Sequence, residues 1–226
     1  MQNSNYVLAI DNGTQSVRAM VFDSDGQLVA KSKVDIEPYF STQPGYAEQQ
    51  PDYFWSALCQ ACQELWPQLN FPRQNIKAVS VTTQRATVVP MGKDGKPLRA
   101  AISWLDQRQV DSKPQLSALE SLLFTVVKAK DSVDSFHAQA EANWIAQKEP
   151  QLWAQVDKFL LLSGYHNYQL TGCYTDSIAS QVGYVTFDFE KLEWAQNKDW
   201  KWRAIPAITS LCSAPIAASQ NQRAHS

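Results

Sequence analysis

Apolar residues run almost unbroken from Tyr6 to Ile10 and end in an acid, Asp11, followed at once by Asn12 and Gly13. Such a run reads as a strand, Tyr6–Asp11, buried on both faces. Asn-Gly is a strong hairpin signal, because both central positions of the favoured turn need φ > 0. The chain then alternates over Ser16–Asp23, with Val17, Ala19 and Val21 on one side. It turns at "DSDG" and alternates again over Gln27–Ile36, where Leu28, Ala30, Val34 and Ile36 share a face. The pattern predicts a three-stranded antiparallel meander.

The period changes after the loop "STQPGYAEQQ". Pro51 opens a helix, where its missing N–H costs nothing. Trp55, Leu58, Cys62, Leu65 and Leu69 form the apolar stripe of that helix. Strands are predicted over Ile76–Thr83 and Thr87–Met91, and "KDGKP" makes a turn. "AAISWLDQRQ" runs from a short strand into a helix or loop. Two further helices are predicted, over Ala138–Gln147 and Asp157–Leu170, the second stopped by Gly172. "CYTDSIASQVGYVTFD" reads as extended and loop structure. A meander followed by alternating helix and strand implies an α/β architecture. No internal repeat is visible. The last seventeen residues, from Ser210, are small, polar and patternless, which reads as a disordered tail.

Composition narrows the function classes. With 226 residues and 44% hydrophobic content, the chain can bury a sizeable core. Lys plus Arg total 20 against 22 Asp plus Glu, with no basic run, which argues against nucleic acid or an anionic membrane as partner. No apolar stretch approaches the ~20 residues of a membrane span. The start, "MQNSNYVLAI", lacks the charged region of a secretory signal. Cys59 and Cys62 form a C-x-x-C pair inside a helical pattern, with no second pair or nearby His to complete a metal site. They read as core packing in a reducing cytosol, and the expected location is cytoplasmic.

The hairpin can carry chemistry. Asp11 can hold a divalent cation, directly or through water. The amides of Gly13, Thr14, Gln15 and Ser16, with the two hydroxyls, sit where phosphate oxygens could bind, because a tight turn presents several N–H groups to one anion. The same residues also suit an ordinary hairpin whose Asp favours the turn. No G-x-x-x-x-G-K-[ST] loop occurs.

"AIDNGTQSVRAMVFDSDG" resembles the phosphate-binding hairpin of the ribonuclease-H-like, or actin-like ATPase, fold. Three later stretches, in order, resemble the FGGY carbohydrate kinases, which include glycerol kinases and xylulokinases. They are "QPGYAEQQPDYFWSAL", "IKAVSVTTQRATVVPMGKDGKPLRAAISWLDQR" and "SGYHNYQLTGCYTDSIASQVGYVTFD". The resemblance covers roughly Asn5 to Arg203. It implies a ribonuclease-H-like domain over residues 1–209, with a mixed sheet that opens in the meander and helices on both faces. Residues 210–226 fall outside it.

By that resemblance the activity is ATP-dependent phosphorylation of a sugar or polyol hydroxyl. Asp11 helps hold the Mg2+ of Mg·ATP, and Gly13, Thr14, Gln15 and Ser16 face the phosphates. Gln84 and Arg85, at a strand end, meet the acceptor, and the Arg fork suits polyol hydroxyls. Trp104, Asp106 and Arg108 line the same cleft. Asp106 accepts sugar hydroxyls there, or else caps a helix or pairs with Arg108. In glycerol kinases the residue after this Arg is Glu; here it is Ala86. Xylulokinases carry Gln-Met-His instead. Phe136 falls where glycerol kinases place a substrate-contacting Tyr, and without the hydroxyl it can only stack or pack. His137 and His166 have no partner pattern.

Members of the family carry a second domain with the adenosine pocket, and a general-base Asp in a Gly-x-x-Asp segment. The last glycine here is Gly183, and neither Asp188 nor Asp199 has that context, so no catalytic base is assigned. The chain is then an N-terminal half of an active site. It is expected to be inactive alone and to expose apolar surface, with a homodimer as one outcome. Two other readings stay open: a non-catalytic fragment that binds itself or a partner, and a nuclease on the same fold, which needs several carboxylates around two metals.

Overall fold

The computed structural model describes residues 5–208 and 214–216. The chain opens with β1 (Tyr6–Asn12), β2 (Ser16–Phe22) and β3 (Leu28–Asp35), the antiparallel meander. Register slips between Val21 and Phe22, so Leu28 pairs with Phe22 and stands 48% exposed, off the face that Ala30, Ser32 and Ile36 bury. The first turn is not the Asn-Gly turn the dipeptide suggests. Neither Asn12 nor Gly13 has positive φ. β1 continues through a buried Asn12, which pairs with Val17, and the Gly13 amide donates to the Ser16 carbonyl at 3.0 Å.

The two-residue β4 (Glu48–Gln49) leads into α1 (Pro51–Leu65). Phe54, Leu58, Ala61 and Leu65 form the buried centre of α1, with Trp55 and Cys62 at its margin. Small residues let helix and sheet approach, and Ser32 Oγ donates to the Ala61 carbonyl at 2.6 Å. β5 (Ile76–Thr83) then runs parallel to β1, giving a mixed sheet in the order β3-β2-β1-β5. One face of that sheet buries Leu8, Ile10, Val17, Ala19 and Val21 against α1. On the opposite face Val7 stands 40% exposed, with Ala78 and Ser80 exposed on the neighbouring strand, so among the described residues the helices cover one side of this sheet.

A second sheet follows. It contains β6 (Val88–Gly92), β7 (Ala101–Ile102) and, after an intervening helical stretch, β8 (Val156–Leu161), in the order β4-β7-β6-β8. That stretch comprises α2 (Ala118–Val126), α3 (Lys130–Gln139), α4 (Glu141–Lys148) and α5 (Pro150–Trp153). The helix predicted over Ala138–Gln147 is the end of α3 and most of α4, broken at Ala140, whose ψ of 113° leaves the helical region. The helix predicted over Asp157–Leu170 is two elements. β8 pairs antiparallel with β6, Val88 against Leu161, and passes straight into α6 (Leu162–Thr171). An apolar run of this length fits strand and helix equally, and pairing to a fully buried β6 decides it. Gly172, at φ 72°, ends α6 as predicted.

β6 and β8 divide two cores. Val89, Met91 and Leu160 face the core of the first sheet, with Leu162 and Tyr165. Val88, Phe159 and Leu161 face a second core, with Ile102, Ile145 and Ile205. The remaining elements are short: β9 (Thr175–Ser177), β10 (Phe187–Asp188), β11 (Glu193–Trp194) and α7 (Lys201–Ala204). Within the stretch read as a patternless tail, Ala214–Ile216 is a strand, β12, parallel to β9. The rest of that stretch lies outside the described residues.

Candidate active site

Most of the residues singled out in the sequence gather along one rim, where β1, β5 and β7 end. Asp11 and Arg18 are a cross-strand pair, and Arg18 Nη1 donates to Asp11 Oδ2 at 2.8 Å. The Asp11 side chain keeps 32% exposure, so one partner does not exhaust its oxygens. Gly13, Thr14, Gln15, Ser16 and Arg18 form one wall of a cavity of about 600 Å³, and Trp104 forms part of the other. The Gly13 amide is used in the turn, which leaves the amides of Thr14 and Gln15 without a protein acceptor. Asp11 itself does not line this cavity. It borders it through Arg18.

Trp104 joins the hairpin to the acceptor side. Its Nε1–H donates to Thr14 Oγ1 at 3.2 Å, and the indole is 51% exposed. "AAISWLDQRQ" continues from β7 as a loop, not a helix. Asp106 holds that loop: its carboxylate accepts from the Ala47 amide at 2.7 Å, from the Arg108 amide at 2.9 Å, and from Arg108 Nε and Nη2 at 2.7 Å each. Of the roles open to Asp106, the structure gives the partner of Arg108. Arg108 Nη2 also reaches Glu48 Oε1 at 2.7 Å, and its guanidinium lies 3.9 Å from the Tyr46 ring centroid and 4.4 Å from that of Trp144.

The acceptor residues divide between two cavities. Gln84, Arg85 and Ala86 line one of about 300 Å³, with Ser163 and Ser177 opposite. Gln84 is only 8% exposed, yet neither its Nε2 nor its Oε1 has a hydrogen-bond partner. A buried polar group in that state is costly unless something completes it. Ala86, Trp104 and Asp106 line a smaller cavity of about 110 Å³ with Gln139, Glu141 and Tyr184. Ala86 belongs to both. It takes φ 50°, left-handed for a residue with a side chain, and Gly183 packs where a Cβ would come within 3.0 Å of the Ala86 methyl.

Phe136 lines neither cavity. It packs edge-on against Tyr184 and Trp200, ring centroids 5.7 and 5.5 Å apart, one ring behind the smaller cavity. Two residues escaped the sequence reading. Asp176 sits 1% exposed behind the larger cavity, accepting from Ser163 Oγ at 2.8 Å and Gln181 Nε2 at 3.0 Å; burial raises its pKa. Glu141 faces the smaller cavity, and burial pushes its carboxyl up to about 8, with the Asp106 charge adding to the rise. No motif marks Glu141. His137 and His166, which no sequence pattern pairs, are both buried helix residues with hydrogen-bond partners, so a satisfied-helix role holds and a surface role does not. Cys59 and Cys62 are free thiols on α1, and burial pushes Cys62 up to about 11, which keeps it an unreactive packing group.

The N-terminal domain of the FGGY family of carbohydrate kinases matches residues 6–212. The chain belongs to that family. This FGGY domain is 26% identical over 195 residues to a glycerol kinase of Thermococcus gammatolerans, covering 84% of the chain and 39% of the relative. It is 30% identical to glycerol kinase 1 of Saccharolobus solfataricus, covering 83% and 38%. It is 25% identical to a xylulose kinase of Lactococcus lactis, covering 85% and 38%. The chain thus spans about two-fifths of the length of these curated relatives. In fold it resembles a xylulose kinase from Brucella ovis, with a TM-score of 0.73 at 20% identity over 94% of the chain and 43% of that structure. It also resembles the Plasmodium falciparum glycerol kinase solved with ADP, at 0.70 and 20%, over 94% and 43%. The family assignment displaces the nuclease reading. Among the described residues no helix is long and apolar enough to cross a membrane.

Proposed function

We propose that this FGGY domain supplies the phosphate-positioning hairpin and the acceptor pocket of an ATP-dependent carbohydrate kinase. The observation that carries the reading is the Trp104–Thr14 hydrogen bond. It ties the hairpin to a loop that walls the smaller acceptor cavity, which Ala86 joins to the larger one, so a phosphoryl donor and a hydroxyl acceptor would meet at one rim. Phosphoryl transfer depends mostly on such positioning and on charge neutralisation.

The residues present fit Mg2+ brought in with the nucleotide. Magnesium is commonly held by one or two carboxylates together with phosphates and water. Among the described residues there is no cluster of three or more His, Cys, Asp or Glu that would cage an ion, but Asp11 offers one accessible carboxylate. Asp11 would hold the ion, which when bound offsets phosphate charge. The Thr14 and Gln15 amides orient phosphate oxygens, and Arg18 adds a fixed positive charge beside them. Gln84 and Arg85 hold acceptor hydroxyls, and Trp104 closes one side against water. No residue of the described chain is assigned as general base. Alone, the 226-residue chain therefore binds without transferring phosphate.

The acceptor is a ketose or alditol of several carbons. Its hydroxyls would complete the Gln84 amide and reach the second cavity across Ala86. Calorimetric titration tests the reading. Mg·ATP should bind the chain weakly, in the millimolar range, and Asp11→Ala should weaken it about tenfold. Arg85→Ala should weaken sugar binding and leave nucleotide binding unchanged. Failure of the chain to bind either ligand would remove the proposal and leave a non-catalytic module.

A further inference from the structure

Two groups lining the small acceptor cavity lack a partner in another residue, the Glu141 carboxyl and Arg108 Nη1. Asp106 is fully occupied by Arg108 and the Ala47 amide, with a side-chain exposure of 3%. Tyr184 Oη donates to Gln139 Oε1. Ala86 contributes only a methyl. The Glu141 carboxyl receives no hydrogen bond from another residue and bonds only its own backbone amide. It lies at the first position of α4, directly after the break at Ala140, which turns the side chain into the cavity. Arg108 lines the same space and keeps its Nη1 buried without a partner.

We propose that Glu141 is a specificity-determining contact for the acceptor, taking a hydroxyl of a neutral polyhydroxylated substrate in the cavity it shares with Arg108 and Tyr184. The assignment rests on the kinase reading above. The cavity volume of about 110 Å³ suits a carbon or two bearing a hydroxyl, not a whole sugar ring, given the ~30 Å³ that a water molecule takes in the liquid. The remainder of the acceptor would lie across Ala86, beside Gln84 and Arg85. The charged groups facing Glu141 are Asp106, which raises its pKa, and Arg108, which lowers it; the Tyr184 phenol feels the Glu141 charge in turn. A carboxyl that titrates near neutrality can donate to a substrate oxygen or accept from a hydroxyl. It therefore needs no counter-charge from the ligand. A site built to bond a hydroxyl discriminates strongly against ligands lacking one there.

The test is titration of the 226-residue chain, followed by ligand-detected NMR, with glycerol, a five-carbon alditol and a ketopentose. The chain should bind a five-carbon ligand. Glu141→Gln should weaken that binding about tenfold and Glu141→Ala further, while glycerol binding changes less than threefold. Affinity in the unmodified chain should show an inflection near pH 8 that Glu141→Gln abolishes. The isosteric Gln variant guards against a folding artefact, and unchanged near-ultraviolet circular dichroism confirms its fold. If the chain binds a five-carbon ligand and both variants bind it equally, the Glu141 assignment is wrong and the kinase reading stands. If the chain binds nothing in the panel, the kinase reading fails, and the assignment fails with it.

Discussion

His166 Nε2 lies 2.8 Å from Asn12 Oδ1, so α6 grips the last residue of β1 across 154 positions of sequence. Asn12 Nδ2 donates to the Gly13 carbonyl at 3.1 Å, which leaves Oδ1 as the acceptor and places the imidazole proton on Nε2. Nδ1 is buried with no partner. A neutral ring thus fixes the residue beside Asp11, at the root of the phosphate hairpin.

Burial lowers the His166 pKa to about 3. The unfolded chain takes up a proton as pH falls through about 6.5, and the folded chain refuses it until about 3, so stability is lost across that interval. The slope for one proton is about 1.4 kcal/mol per pH unit. Urea unfolding at pH 7.0 and 5.5 should show a loss of about 1–2 kcal/mol that His166→Gln does not show. Comparing the two chains removes the contribution of carboxylates, which titrate in both. Parallel slopes would mean that the ring protonates in the folded state.

Arg108 should be the most sensitive side chain of the acceptor loop. It bonds two carboxylates, with 2% of its side chain exposed, between the Tyr46 and Trp144 rings. Removing one partner of a buried ionic group leaves the others uncompensated and costs about 3–5 kcal/mol. Arg108→Ala should lower unfolding free energy by that amount. Arg108→Lys should recover only part, because a point charge cannot serve Asp106 and Glu48 with one fork. Equal stability of the Lys variant and the unmodified chain would show that charge alone holds the loop.

Ala86 carries backbone strain at the junction of the two acceptor cavities. At φ 50° a residue with a Cβ is disfavoured by about 1–2 kcal/mol, and glycine is not. Glycine gives part of this back through the entropy of the unfolded chain. Ala86→Gly should therefore stabilise by about 0.5–1 kcal/mol, a rise of about 1–4 °C in melting temperature for a chain of this size. A fall would show that the methyl packing against Gly183 outweighs the strain.

The sequence revealed elements whose signals are local. The alternation of Ser16–Asp23 fixed one face of the meander, Pro51 opened α1, and Gly172 closed α6. Where a partner decides, the local pattern does not: β8 is a strand because β6 pairs with it. The site followed the same division. Thr14, Gln84, Arg85 and Trp104 stand in motifs and line the cavities. His166 bonds Asn12 and Glu141 lines a cavity with Asp106 and Arg108, all far away in sequence, and no spacing rule reaches them. α2 has a local signal too, a capping box in which Ser117 and Glu120 satisfy each other's backbone amides.

The 226-residue chain should self-associate through β5. Among the described residues β5 is an outer strand of the first sheet, and residues 77–80 along it are all exposed. An outer strand presents unpaired backbone groups to any second strand, and charged side chains are the usual protection. β3, the opposite edge, carries Lys31, Lys33 and Asp35, whereas β5 offers Lys77 followed by Ala78, Val79 and Ser80. A second apolar surface lies on α2, where Leu119, Leu122 and Val126 are 76%, 62% and 70% exposed, so the two need separating. Light scattering across a concentration series should give masses above the 25.4 kDa of one chain. Val79→Lys should return the mass toward the monomer, and Leu122→Lys should leave it raised. The reverse pattern would assign association to α2, and a monomer at every concentration would show that the β5 edge is protected in solution.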